Sequence, residues 1–120
     1  MRTYVRMTSQ GSPYARFRRA LATGNLNLIR ETAAELPTVD LTDALAVLLV
    51  MAERSDPSYG RAATRWLGRF ALECPAADLN DLSEGLDALE SLPEEPGSGK
   101  RAIRALCARH GLERALPLLG

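Results

Sequence analysis

Along most of this chain apolar residues return every third or fourth position, and nowhere do they alternate long enough to predict a strand. Ser12-Pro13 opens the first stretch, offering a capping oxygen and a proline where a missing N–H costs nothing. Tyr14, Phe17, Ala20 and Leu21 form one helical face, which Gly24 stops. Asn25 caps a second helix showing Leu28, Ile29, Thr32, Ala33 and Leu36 before Pro37. Asp40, with Asp43 following, starts a third helix. Its run 44–52 is apolar nearly all round, which predicts the buried centre of the domain. After Asp56-Pro57 a fourth helix carries the cleanest stripe, Tyr59, Ala62, Ala63, Trp66, Leu67 and Phe70, closed by Pro75. Leu79, Leu82, Leu86 and Leu89 predict a narrower inward seam on a fifth. Past the loop 93–97, a sixth turns Ala102, Ile103, Leu106 and Cys107 inward until Gly111.

Residues 1–11 show no period and read as a flexible N-terminal arm, and 12–111 read as a single all-helical domain. The tail 112–120 has room for one more helical turn before Pro117. Two hairpins look like copies of one another. Asp40-Leu41-Thr42-Asp43-Ala44-Leu45 aligns with Asp81-Leu82-Ser83-Glu84-Gly85-Leu86, and Ala62-Ala63-Thr64-Arg65-Trp66-Leu67 aligns with Arg101-Ala102-Ile103-Arg104-Ala105-Leu106, once two residues are deleted between the helices. A period near forty residues is typical of helix pairs. The expected fold is therefore all-α. It is either a six-helix right-handed stack of antiparallel hairpins, like a short α-solenoid with its repeat over 40–72 and 81–109, or a compact six-helix bundle. The short loops suit both.

Composition supports the helical reading: Ala, Leu and Arg dominate, and Lys100 is the only lysine. Fifteen basic and fifteen acidic side chains cancel, which argues against an unspecific polyanion binder. Cys74 and Cys107 sit in helical patterns and fit a reduced protein better than a disulfide scaffold. Residues 1–7 lack the apolar core of a signal peptide, and the run 44–52 is too short to cross a bilayer. A cytoplasmic protein without membrane contact is the expectation.

Chemistry finds little footing. Pro96-Gly97-Ser98-Gly99-Lys100 resembles a phosphate loop, but Glu94 stands where the first glycine belongs and Arg101 follows the lysine. His110 is the sole histidine and has no second imidazole to share a metal. Asp78, Asp81, Glu84 and Asp87 drift around their helix instead of pairing one turn apart. No catalytic, cofactor-binding or metal-binding residue is expected, and the protein reads as no enzyme.

The charges are better organised. The first, fourth and sixth helices are basic, while the third and fifth carry acids. Arg61, Arg65 and Arg69 fall four apart, and the hairpin alignment puts Lys100 and Arg104 in the same stripe. With Arg16 and Arg19 these are the expected partner-binding residues, since arginine grips carboxylate or phosphate through two parallel hydrogen bonds. The expected function is a non-enzymatic interaction or adaptor module holding an acidic protein partner. The alternative is a nucleic-acid-binding accessory or regulator, and a blander possibility is that basic helices only neutralise neighbouring acidic ones. Leu112, Leu116, Leu118 and Leu119, or the N-terminal arm, are the expected contacts for self-association.

Two resemblances accompany this reading. The segment from Ala20 to Ile29 resembles the inter-helix turn of an ankyrin repeat, without that repeat's Thr-Pro-Leu-His signature. Pro13-Tyr14-Ala15-Arg16-Phe17-Arg18-Arg19-Ala20-Leu21 and Arg61-Ala62-Ala63-Thr64-Arg65-Trp66-Leu67-Gly68-Arg69-Phe70 are similar to an uncharacterised family of small Ala/Arg-rich helical proteins from GC-rich bacteria, over residues 13–92. That likeness implies an all-α fold and no functional residue.

Overall fold

A computed structural model describes residues 11–120, so the arm expected over 1–11 lies almost wholly outside the described residues. Every regular element within them is helical. The α-helices are α1 (Pro13–Thr23), α2 (Leu26–Ala33), α3 (Leu41–Glu53), α4 (Tyr59–Glu73), α5 (Leu79–Ser91) and α6 (Pro96–Arg109), followed by a 3₁₀ helix (Glu113–Leu119). Among the described residues the fold is all-α, with six α-helices as expected and the 3₁₀ helix as a seventh element. The tail runs helically through Pro117 instead of stopping there. Proline's fixed φ suits the 3₁₀ conformation, and the short element asks few backbone donors of it.

The chain divides into two compact units, one ending at Val39 and one beginning at Asp40. In the first, Ser12 Oγ accepts from the Ala15 N–H, and Pro13 takes the first helical position. Gly24, at φ 70°, turns the chain into α2, and Asn25 Oδ1 accepts from the Leu28 N–H. The hairpin buries Phe17, Ala20, Ile29 and Thr32, while Tyr14 and Leu28 of the expected faces stay exposed.

In the second unit α3 packs on α4, α4 on α5 and α5 on α6, and the 3₁₀ helix packs on α6 and α3. The apolar run of α3 buries Leu41, Leu45, Ala46, Leu48, Met51 and Ala52, as its all-round hydrophobicity requires. Trp66 ties α4 to the start of α3 by donating its indole N–H to the Leu41 carbonyl at 2.9 Å. The glycine-rich segment before Lys100 is the first turn of α6. A Cβ on Gly99 would lie 3.0 Å from Leu92 Cδ2 and 3.1 Å from the Ala88 carbonyl oxygen. Glycine there serves the close approach of α6 to α5.

Two expectations about register are corrected. On α5 the inward side is Gly85, Ala88 and Leu89, with Leu82 half-buried, while Leu79 and Leu86 face solvent. Gly85 draws the neighbours to its own side: a Cβ there would meet Leu67 Cδ1 at 2.9 Å and Leu106 Cδ2 at 3.2 Å. The hairpin alignment also shifts. Ala102 and Ala105, set opposite Ala63 and Trp66, are exposed, whereas Ile103 and Leu106 are buried. Buried residues instead match at one constant separation without a deletion: Leu45 with Gly85, Leu48 with Ala88, Ala52 with Leu92, Tyr59 with Gly99, Ala63 with Ile103, and Trp66 with Leu106.

Candidate functional site

Expected partner-binding arginines divide into spent and unspent charges. Arg16, in the first unit, pairs with Glu35 and donates to the Gly11 carbonyl at 2.7 Å. Arg19 lies exposed on the same helix. In the second unit Arg69 pairs with Glu73 one turn on, at 3.1 Å, and Arg114 reaches Asp40 at 3.0 Å. Arg109 bridges Asp81 and Glu84, 2.9 Å from each. By contrast Arg61 and Arg65 on α4, and Lys100, Arg101 and Arg104 on α6, form no ion pair with the described residues.

The corrected register rearranges the expected stripe. With buried positions matched, Arg61 corresponds to Arg101 and Arg69 to Arg109, while Lys100 and Arg104 correspond to Gly60 and Thr64. One residue step turns a helix by about 100°, so Lys100 and Arg104 lie on a different flank of α6 from the one matching Arg61 and Arg65. Arg61 and Arg65 are exposed on α4, Arg65 about 100° and Arg61 about 140° around the helix from the inward Trp66.

The tail leucines are partly spent as well. Leu119 is buried, Leu112, Leu116 and Leu118 are half-buried, and the 3₁₀ helix packs on α6 and α3. Leu119 therefore serves its own chain's core and is not open for self-association.

One polar cluster escaped the sequence. His110 Nε2 lies 2.9 Å from Asp81 Oδ2, and the ring meets Phe70 edge-on with centroids 5.4 Å apart. Asp81 occupies the third position of α5, in a capping box with Asp78. The Arg109 guanidinium above all, then the Asp78–Asp81 cap bonding, hold its carboxyl down at about 2; the contact with His110 adds to this. Arg109 is raised in turn, chiefly by Asp81 and then Glu84.

Cys107, one turn before His110 and able by that spacing to pair with it, is fully buried, and burial with Cys74 nearby pushes its thiol up to about 11. Burial first, and then Glu73, also raise Cys74. A buried, protonated thiol is a poor nucleophile. The Asp81–His110 pair therefore ties the start of α5 to the end of α6. Only the capping pattern around Asp78 and Asp81 hinted at this, because the histidine lies far along the chain.

An open acidic depression is lined by Asp87, Glu90, Ser91, Glu94 and Glu95, on the C-terminal part of α5 and its loop. No group of three or more metal-ligating side chains gathers among the described residues. No described helix is long and apolar enough to cross a membrane. Comparison with protein-family models, curated proteins and solved structures finds no match for the chain.

Proposed function

We propose that the protein is a non-enzymatic helical interaction module that holds an acidic protein segment on the basic surfaces of α4 and α6. The observation that carries this reading is the division among the cations. Four arginines are bound by acids of their own chain, while Arg61, Arg65, Lys100, Arg101 and Arg104 are left without an ion pair. Charges that only neutralised neighbouring helices would be paired like Arg109. An unspent guanidinium on a rigid helix keeps its bidentate geometry for a carboxylate from outside. We set the protein in the cytoplasm, where two buried free thiols persist unpaired.

The test is retention on immobilised poly-L-glutamate at low ionic strength, with duplex DNA as a parallel arm. Wild-type protein is expected to bind polyglutamate and elute with salt. Arg61→Glu/Arg65→Glu and Arg101→Glu/Arg104→Glu should each weaken retention with unchanged circular dichroism. Failure of the wild type to bind would end the reading. Retention by DNA alone, with a steep salt dependence, would favour a nucleic-acid accessory role instead.

A further inference from the structure

Exposed leucines of the second unit gather along α4 and α5. Leu72 and Leu79 are each 84% exposed, on either side of the α4–α5 turn, and Leu86 is 43% exposed further along α5. Single exposed apolar residues are ordinary, but several on one face mark a surface that is covered in use.

The contacts around α5 define that face. Tyr59 Oη donates to the Leu89 carbonyl at 2.6 Å, and Leu67 lies over Gly85, so α4 and α5 run antiparallel. Helix α6 approaches α5 at Gly85 and Ala88 and reaches Asp81 and Glu84 through Arg109. Phe70 on the inward side of α4 meets His110 at the end of α6, which puts both inward sides together. About half a turn away come Arg61, Gly68 and Leu72 on α4, and Leu79, Leu86 and Glu90 on α5. These residues share the surface turned away from α6. Taken together, the Tyr59–Leu89 bond and the Leu67–Gly85 contact set Arg61 at the height of Asp87 to Ser91, and the turn brings Leu72 and Leu79 to the same end of the pair.

We propose that a second copy of this chain docks on this face, about a two-fold axis running along the groove between α4 and α5. Such an axis sets α4 of each copy against α5 of the other at equal height. Leu72 then meets the other copy's Leu79, and Leu86 fills the space left open by Gly68, where a Cβ would touch nothing within 4 Å. Arg61 and Arg65 face the other copy's Glu90 and Asp87.

The charges favour this occupant. Arg61, Arg65, Asp87 and Glu90 form no ion pair within the described chain, and each copy brings both signs in the order the two-fold requires. The inference rests on the reading that Arg61 and Arg65 hold an acidic partner, and it names that partner as the chain's own α5. Lys100, Arg101 and Arg104 on α6 remain outside the interface.

Analytical ultracentrifugation of the full chain tests it. At ~100 μM, well above a micromolar dissociation constant, the wild type should sediment at twice the 13.0 kDa chain mass. Leu72→Lys/Leu79→Lys should be monomeric with unchanged helicity, since both side chains already face water. Arg61→Glu/Arg65→Glu and Asp87→Arg/Glu90→Arg should each be monomeric alone. Mixed together they should form a heterodimer, because both halves of the interface regain opposite charges. A monomeric wild type overturns the dimer, and one that still binds polyglutamate leaves the interaction reading standing. A dimer indifferent to the leucine and charge changes also overturns it.

Discussion

A single carbonyl shows how closely one side chain answers another. The Leu89 carbonyl would ordinarily accept from the amide four residues on, but that residue is Pro93, which has no N–H. Tyr59 supplies the missing donor from α4, with its hydroxyl 2.6 Å from the oxygen. Burial also pushes the phenol up to about 12. Tyr59→Phe keeps the ring but strands a buried acceptor, and should cost about 1–3 kcal/mol in urea unfolding. Loss nearer zero would mean that water replaces the hydroxyl. Both residues are plain in the sequence, yet only the packing of α4 on α5 makes them partners. Gly85 and Gly99 tell the same story: as letters they weaken a helix, and in the fold they let side chains and backbone of neighbouring helices come close.

At the scale of elements, helix ends were more legible than helix faces. Ser12, Asn25 and Asp40 accept the cap hydrogen bonds expected of them, Asp78 adds a cap that the sequence showed only as part of an acidic string, and Gly24 and Gly111 adopt the left-handed conformation that ends α1 and α6. These signals are local, so sequence carries them. Helix α3 ends differently. The Asp56 N–H bonds the Met51 carbonyl and the Ser55 N–H bonds the Ala52 carbonyl, the same closure that Leu112 and Gly111 make on α6. Ser55 takes it at φ 51°, where a Cβ is strained. Ser55→Gly should therefore stabilise the protein by about 1 kcal/mol, read as a higher urea midpoint at unchanged slope. An unchanged or lowered midpoint would mean that the added backbone entropy of glycine outweighs the relieved strain.

Across the second unit as a whole, stability should carry the signature of the Asp81 cluster. Its carboxyl lies at about 2 when folded, against 3.8 for the free group, chiefly because Arg109 favours the ionised form. A depressed carboxylate stabilises the fold fully above its unfolded value, and that contribution disappears as pH falls through the folded value. Stability should thus drop between about pH 4 and pH 2. Asp81→Asn should flatten that drop and lower stability at neutral pH, measured by urea denaturation across the series. An unchanged slope would assign the acid sensitivity to other carboxylates.

What the sequence by itself determined is the helical content, the order of six α-helices and the N-caps of the first three, because periodicity, propensity and capping act within a few residues. What only the tertiary structure decided is which side of α5 meets the core, which arginines are consumed by Glu35, Glu73, Asp81, Glu84 and Asp40, and that His110 finds Asp81. Those outcomes depend on residues distant along the chain, and on glycines whose value lies in what approaches them. A leucine seam at helical spacing marks a helix equally well whether its partner is the same chain or another. Leu79 and Leu86 carry the pattern of a core and stand in solvent.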